Sequence, residues 1–307
     1  GKNASDTIGN IISKTYEHLT KIKPDAFLVL GDTNSCLSAI SAKKLQIPVF
    51  HIEAGNRCFD QRVPEESNRK IVDSISDINI TYSDIAREHL ISEGHSADRV
   101  IKVGSPMKEV LNYMQPKYQC SEILARLKIK PREYFLVSAH REENVSNEKN
   151  FNRLINSLKR IYEKYSLPII VSTHPRTMNV IRKNKISLNK EIIFLKPFSF
   201  SDYINLQINS LMVLSDSGTI SEESSILGFN ALNIREAHER PEAIEEGALI
   251  MTGLDEDRIL QAIEVLKSQN QSELNIVKDY DIDNVSLKIE RIILSYTNYI
   301  NQKVWFK

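Results

Sequence analysis

Short apolar runs alternate with stretches of helical periodicity along most of the chain. The chain opens on a helical pattern, with Ile8, Ile11, Ile12, Tyr16 and Leu19 spaced three to four residues apart. Runs rich in Val, Ile and Phe then predict strands at 26–30, 48–52, 78–82 and 100–103, and at 134–138, 169–172, 192–195, 211–214, 231–234 and 248–251. Strands that alternate with helices indicate repeated βα units and parallel sheets.

A polar segment at 114–121, with Pro116 inside it, predicts a linker between two sets of strands. The predicted domains are an N-terminal Rossmann-like domain at 1–115 and a C-terminal Rossmann-like domain at 116–284. The segment 285–307 is predicted to contain a helix that packs across the domain boundary. The length of 307 residues fits two domains, since a domain averages roughly 150 residues.

Composition and charge exclude several classes of protein. Lys and Arg number 40 and Asp and Glu number 40, so no overall positive field attracts nucleic acid or anionic lipid. A hydrophobic content of 41% is too high for a disordered chain. No apolar run reaches the roughly 18 residues of a membrane span, and no signal peptide is visible. Three cysteines without C-x-x-C spacing predict neither a disulfide framework nor a cysteine zinc site, and favour the cytoplasm.

The spacing of the ten glycines excludes the common nucleotide-binding motifs. No two glycines are closer than six positions, as at Gly247 and Gly253. The motifs G-x-G-x-x-G and G-x-x-x-x-G-K both need closer pairs. An anionic ligand is therefore expected to be held by other local groups.

Three polar clusters in the first half contain carboxylates. Asp32 follows the first predicted strand, Glu53 follows the second, and Glu65 opens a helix. Arg57 and Arg69 are close by in sequence and are candidates for binding a substrate at the same crevice. Parallel strands place such groups at one sheet edge, where neighbouring carboxylates shift one another's pKa and suit acid/base chemistry. The alternative is that Glu65 favours the helix dipole and that Asp32 is an N-cap.

The second half carries basic groups at its strand ends. His140 and Arg141 follow one predicted strand, and His174 with Arg176 follows the next. Two histidines, each followed within two residues by an arginine, favour an anion site over isolated structural histidines. No H-E-x-x-H or other compact ligand set is present, so no metal is expected.

A strand, a small-residue turn and a helix are predicted around Gly218. Backbone N–H groups at such a helix start suit a phosphate, and Glu223 lies one turn beyond Thr219, where its carboxylate could accept from ribose hydroxyls. A capped helix without a ligand is the alternative. Arg240 adds charge near the same edge, and the segment 197–203 offers aromatic side chains, for which core packing is favoured at Phe198 and Phe200.

Five motifs together resemble the non-hydrolysing UDP-N-acetylglucosamine 2-epimerases. They are Gly31-Asp32-Thr33, His51-Ile52-Glu53-Ala54-Gly55, Pro64-Glu65-Glu66-Ser67-Asn68-Arg69, Asp216-Ser217-Gly218 with Glu222-Glu223, and Glu239-Arg240-Pro241-Glu242. The resemblance implies an α/β, GT-B-like fold of two Rossmann-type parallel-sheet domains. It also implies a UDP-sugar in the interdomain cleft and a homodimer. No cofactor is expected, because epimerisation by elimination of UDP demands no metal, NAD or flavin.

By motif position, the resemblance also implies roles for individual residues. The residues expected to act in catalysis are Asp32, Glu53, Glu65 and His140. Arg69, Ser217, Gly218, Thr219, Glu223 and Arg240 are expected to hold the UDP-sugar, with Tyr203 against the uracil.

Two departures from the family pattern affect these expectations. The family's first strand and its Gly-Thr-Arg-Pro-Glu-type loop have no counterpart here, so the first βα unit is expected to be missing. The motif His140-Arg141-Glu142-Glu143-Asn144 replaces the usual His-Arg-Arg-Glu-Asn and is similar to the capsular branch that forms UDP-N-acetyl-L-fucosamine.

The expected reaction is inversion at C2 of a UDP-N-acetylhexosamine for surface polysaccharide synthesis. That carbon is not adjacent to a carbonyl, so its proton is poorly acidic. Elimination of UDP to a 2-acetamidoglucal, followed by re-addition, allows the C2 proton to be removed and returned. This route needs a base, an acid and groups that bind the diphosphate. Three rivals stay open: a hydrolysing epimerase, a GT-B glycosyltransferase, and a catalytically impaired nucleotide-sugar-binding fragment.

Overall fold

A computed structural model describes residues 1, 3–141, 147–173, 189–270 and 273–307. The chain divides into two compact units. The first unit comprises residues 1–109 and 279–307, and the second comprises residues 110–278. The domain boundaries predicted after residues 115 and 284 lie close to these divisions. The prediction of a linker at 114–121 is wrong, because most of this segment belongs to the helix Met107–Gln119. Buried Leu111 and Tyr118 stabilise this helix despite Pro116.

The described part of the first unit contains a four-stranded parallel sheet in the order β1-β2-β3-β4. Its strands are β1 (Phe27–Leu30), β2 (Val49–Ile52), β3 (Ile78–Thr81) and β4 (Val100–Lys102). Each matches its predicted run to within one residue at either end. All residues of β2 and β3 are buried, as expected of central strands in a parallel sheet.

Helices cover this sheet and continue into the C-terminal segment. They are Ala4–Ile22, Ala39–Lys44, Pro64–Ile75, Asp84–Ser92 and Val285–Lys303, with short 3₁₀ turns at Asn34–Ser38 and Ala97–Arg99. The helix Met107–Gln119 begins in the first unit and lies mostly in the second, because the division falls after residue 109. The C-terminal helix buries Val285, Ile289 and Ile300 in the same apolar cluster as Phe50 and Ile80. It therefore belongs to the core of the first unit.

The described part of the second unit contains a six-stranded parallel sheet in the order β10-β9-β8-β5-β6-β7. Its strands are β5 (Phe135–Ser138), β6 (Ile169–Ser172), β7 (Ile192–Leu195), β8 (Met212–Ser215), β9 (Ala231–Asn233) and β10 (Ile250–Met251). All six strands are parallel, but the order in which the chain adds them to the sheet reverses between β5 and β8, as in a Rossmann sheet, and this point is the sheet reversal. Open sheets of this kind bind ligands at that reversal, beyond the carboxyl ends of the strands.

Apolar residues cover both faces of this second sheet. Phe135 and Val137 face one cluster, and Tyr134 and Leu136 face another, as alternation along a strand requires. The surrounding helices are Ile123–Leu127, Glu148–Tyr165, Phe200–Asn209, Ile220–Leu227, Pro241–Glu245 and Glu256–Ser268. The predicted α/β fold with two Rossmann-type parallel-sheet domains is confirmed. Within the described ranges, no helix has both the length and the apolar composition to cross a bilayer.

Candidate functional site

In the first unit, Arg69 orients the carboxylate of Asp32. The guanidinium Nε and Nη2 of Arg69 lie 2.8 and 2.7 Å from Asp32 Oδ2. The Arg69 side chain is 3% exposed, whereas that of Asp32 is 25% exposed, so the carboxylate is the member of the pair that reaches solvent. Asp32 and Arg69, which lie in separate polar clusters of the sequence, are thus in direct contact. The N-cap alternative for Asp32 is wrong, since Thr33 occupies the cap of the 3₁₀ turn that follows.

Glu53 lies against the same loop in a strained backbone conformation. Its φ is 72°, in the left-handed region that costs a non-glycine residue roughly 1–3 kcal/mol. Glu53 Oε1 accepts from Asn56 Nδ2 at 3.3 Å, and Oε2 lies 3.3 Å from the place that a Cβ on Gly31 would occupy. The carboxylate of Glu53 is thus held beside Gly31, the residue before Asp32.

Glu65 and Glu66 both lie in the first turn of the helix Pro64–Ile75, but their surroundings differ. Glu66 is fully buried and accepts from Cys58 N at 3.1 Å and from Arg69 Nη1 at 2.8 Å. Burial alone raises the pKa of Glu66, but these hydrogen bonds outweigh it and hold the pKa below its ordinary value. Glu65 is half-buried. Glu66 therefore has a structural role, and Glu65 keeps the exposure that contact with a substrate requires.

Arg57 does not occupy the crevice position predicted for it. Its side chain has no exposed surface, and its guanidinium donates to Asp73 at 2.7 Å and to Glu93 at 2.6 and 2.8 Å. The interpretation of Arg57 as a substrate-binding residue is corrected accordingly. A buried arginine held by two carboxylates is part of the framework beneath the loops.

Asp73, a central residue of this framework, was not assigned a role from sequence. Asp73, fully buried, accepts from His51 Nδ1 at 2.7 Å and from the backbone N–H of Gly55 at 3.3 Å. The available signal was local: a histidine interrupts the apolar strand β2, and Glu66, Arg69 and Asp73 repeat on one face of their helix. Buried polar groups of this kind need partners and so mark a network.

In the second unit, Asp216 joins the loops that follow β5 and β8. Its carboxylate accepts from the backbone N–H of His140 and of Arg141, each at 3.0 Å. Asp216 is buried, while His140 is exposed and Arg141 is half-buried. The side chains of His140 and Arg141 therefore lie beyond the carboxyl end of β5, at the sheet reversal.

The turn around Gly218 has the predicted strand–turn–helix form. The hydroxyls of Ser217 and Thr219 lie 3.0 Å apart, and Thr219 precedes the helix Ile220–Leu227. Among the residues that the structure describes, a Cβ on Gly218 would come within 4 Å of Glu239 Oε2 alone, 3.9 Å away. The described part of the fold therefore has room for a side chain at position 218. Close approach of a ligand to the backbone would account for the glycine.

Glu223 and Tyr203 lie deeper than the sequence suggested. Glu223 is 5% exposed and accepts from Gln207 Nε2 at 2.6 Å. Burial raises the pKa of Glu223, against the lowering effect of hydrogen bonds from Gln207 and Thr219. The Tyr203 ring packs on an apolar cluster with Phe198, and burial raises the pKa of its hydroxyl. Core packing is confirmed for Phe198 and is wrong for Phe200, which is exposed.

Arginines and glutamates alternate after β9. Arg240 lies 3.1 Å from Glu222, and Arg235 makes a bidentate pair with Glu239 at 2.7 and 2.8 Å. Glu239 is also 3.8 Å from Arg141. Asp216, Glu222, Arg235 and Glu239 were not assigned roles from sequence, although the charged run 235–242 pointed to this edge.

His174 and a metal site were also considered from the sequence. His174, interpreted as an anion-binding residue, lies outside the described residues. Among the residues that the structure describes, no group of three or more His, Cys, Asp or Glu side chains could hold a metal ion.

Comparison with known proteins gives the family. A sequence model described as UDP-N-acetylglucosamine 2-epimerase matches residues 1–294. The solved UDP-N-acetylglucosamine 2-epimerase of Rickettsia bellii is 51% identical, with a TM-score of 0.93 over 98% of this chain and 82% of that one. The Methanocaldococcus jannaschii UDP-GlcNAc 2-epimerase, solved with UDP-GlcNAc and UDP, is 30% identical, with a TM-score of 0.88 over 95% of this chain and 82% of that one.

A relative from Pseudomonas aeruginosa carries a different substrate name. This UDP-2,3-diacetamido-2,3-dideoxy-D-glucuronate 2-epimerase is 31% identical over 83% of this chain and 71% of the relative. Similar chains thus bear names that differ in the sugar.

Proposed function

The chain belongs to the UDP-N-acetylglucosamine 2-epimerase family, and from that membership we propose that it inverts C2 of a UDP-N-acetylhexosamine without hydrolysing it. As a member of this family it is an epimerase of the isomerase class. The observation that carries the proposal is the family match across residues 1–294. The proposed substrates are UDP-GlcNAc and UDP-ManNAc or a 6-deoxy relative.

The proposed reaction has two balanced halves. A base removes the C2 proton while the bond between C1 and the UDP oxygen breaks, which leaves a C1=C2 double bond and free UDP. The UDP oxygen then attacks C1 again, and an acid returns a proton to C2 from the opposite face. This route needs proton-transfer groups on both faces of the sugar and donors for the departing diphosphate.

The first unit supplies the proposed proton-transfer groups. Asp32, Glu53 and Glu65 are half-buried carboxylates, and Arg69 and Asn56 hold two of them in place. A fixed carboxylate with partial solvent access suits general acid or base work, because its orientation is preset. We propose that these three residues share the two proton transfers.

The second unit supplies the proposed diphosphate site. His140 and Arg141 at the end of β5 and the Ser217-Gly218-Thr219 turn after β8 flank the sheet reversal, where a Rossmann sheet receives its ligand. We propose that His140 assists departure of UDP and that the turn and Arg240 bind it. Glu223 is proposed to meet the ribose and Tyr203 the uracil.

Turnover of UDP-sugars in deuterated water, followed by NMR, tests this proposal. We expect interconversion of the two C2 epimers, deuterium at C2 of both, and retention of the UDP linkage. Product without deuterium would contradict elimination and re-addition. A panel that includes UDP-GlcNAc, its 6-deoxy relative and the 2,3-diacetamido uronate identifies the sugar.

The same experiment separates the rival functions. Free N-acetylmannosamine with UDP would indicate the hydrolysing epimerase, and turnover that depends on an added acceptor would indicate a glycosyltransferase. Binding of UDP without any turnover would indicate a catalytically impaired binding fragment.

The biological setting proposed for the chain is cytoplasmic synthesis of surface polysaccharide precursors by a homodimer. The three free cysteines are consistent with a reducing compartment. Sedimentation analysis tests the dimer, and a single-copy mass would overturn it.

A further inference from the structure

A continuous chain of buried polar contacts runs beneath both loops that carry Asp32 and Glu53. Asp73 accepts from Arg57 Nη1 at 2.7 Å, from His51 Nδ1 at 2.7 Å and from Gly55 N at 3.3 Å. The other ring nitrogen of His51, Nε2, lies 3.1 Å from the carbonyl oxygen of Gly31. One carboxylate is thus linked to the loop after β1 and to the loop after β2.

The backbone of these two loops is left-handed at Gly31, Glu53 and Gly55, a conformation that glycine adopts without strain and glutamate does not. The φ angles are 75° at Gly31, 72° at Glu53 and 80° at Gly55. A left-handed Glu53 relaxes unless its surroundings hold it. Gly31 directly precedes Asp32, and Gly55 lies two residues after Glu53, so movement of either anchor would displace a proposed proton-transfer group.

We propose that Asp73 is a positioning residue that holds both loops in place, and that His51 transmits its effect to Gly31 as a doubly protonated imidazolium. This inference rests on the proposed function only for its effect on turnover. Asp73 is fully buried and lies beneath the loops, so it acts through other residues.

The charge on His51 follows from the chemistry of its two partners. A carboxylate and a carbonyl oxygen can only accept, so both ring nitrogens must carry hydrogen for both bonds to form. Burial pushes the pKa of Asp73 upward, but His51 and Arg57 outweigh it and keep the pKa below its ordinary value, so the carboxylate is ionised. The pair is then a buried ion pair with a second bond to Gly31.

Asp73→Asn tests the positioning role, and Asp77→Asn is its matched control. Asp77 is equally buried and also accepts a backbone N–H, from Val49 at 2.9 Å, while pairing with Lys43 at 2.5 Å. It lies at the opposite end of β2 from the loops. We expect D73N to lower kcat by about 100-fold with KM and UDP affinity little changed, since misplacement of about 1 Å can cost that much. D77N should keep kcat.

Two results would overturn the proposal: a folded D73N enzyme with wild-type kcat, or equal losses of kcat in D73N and D77N. The protonation of His51 is tested independently of activity by NMR of the wild-type chain with ¹⁵N-labelled histidine, assigned by comparison with His51→Gln. Hydrogen on both ring nitrogens at neutral pH supports the imidazolium, and a neutral ring contradicts it. This measurement holds even if D73N does not fold or no UDP-sugar is turned over.

Discussion

The carboxylate of Asp216 accepts a hydrogen bond from the backbone N–H of His140 at 3.0 Å, although 76 positions separate the two residues in sequence. The bond joins the loops after β5 and β8 at the sheet reversal, where the strand order of the second sheet changes direction. A single buried carboxylate therefore fixes where His140 and Arg141 are presented.

Removal of this carboxylate should lower the stability of the fold. Asp216→Ala leaves the backbone N–H groups of His140 and Arg141 without their acceptor, and we expect a loss of about 2 kcal/mol in the free energy of unfolding. Urea denaturation measures this loss. Asp255→Ala is the control, since Asp255 also accepts a backbone N–H but as an exposed helix N-cap, and we expect a smaller loss there, of about 1 kcal/mol. Equal losses in the two variants would contradict the role assigned to Asp216.

Replacement of Arg69 by lysine should free the Asp32 carboxylate from its fixed orientation and so lower kcat. Arg69→Lys keeps the charge but loses the planar guanidinium that contacts both Asp32 and Glu66. We expect kcat to fall by about tenfold or more, because the Asp32 carboxylate is no longer held in one orientation. Steady-state kinetics with the UDP-sugar measures this change.

The control for this prediction is Arg62→Lys. Arg62 pairs with Asp60 on the surface, with its side chain 77% exposed, and such pairs contribute little. R62K should retain wild-type kcat, and a similar loss in R62K and R69K would argue against a specific role of the Asp32–Arg69 pair.

Glu66 should make the stability of the fold sensitive to acid. Its pKa in the folded chain lies below the ordinary value of 4.5 because of hydrogen bonds from Cys58 and Arg69, despite burial. The unfolded chain therefore binds the proton more readily, and the stabilisation is complete above pH 4.5 and is lost as the pH falls through the folded-state pKa. The stability difference between wild type and Glu66→Gln should be largest at neutral pH and shrink in acid.

Urea denaturation over a pH series tests this expectation. Glu88→Gln, at an exposed site on the helix Asp84–Ser92, is the control and should follow the wild-type profile. A difference between wild type and E66Q that stays constant from neutral pH into acid would contradict the assignment.

Two glycines should respond in opposite ways to alanine. Gly218 has an ordinary φ, and the described residues leave room for a Cβ there, so Gly218→Ala should fold normally but weaken UDP binding by about tenfold, or about 1.4 kcal/mol. Gly228 ends a helix with φ of 68°, so Gly228→Ala should lose about 1 kcal/mol of stability and keep UDP affinity. Calorimetric UDP titration and thermal unfolding measure both properties. Unchanged UDP affinity in G218A would remove Gly218 from the binding site.

The sequence by itself determined the strands, the two parallel sheets and the loops that carry polar groups. Hydrophobic periodicity is a local property, and strands such as Ile169–Ser172 and Ile192–Leu195 were located to the residue. The order of parallel strand ends then placed Asp32, Glu53, His140 and Gly218 at sheet edges. The family resemblance added their proposed roles.

Only the tertiary structure decided which charged residues reach solvent and which support them from below. Arg57 and Arg69 look alike in sequence, yet Arg57 pairs with Asp73 and Glu93 in a buried framework while Arg69 pairs with the half-exposed Asp32. Asp32 and Arg69 are 37 positions apart, and Arg57 and Glu93 are 36 apart. Pairing between distant residues depends on how the chain packs, because the local pattern of polar positions is the same for a buried ion pair as for a solvated face.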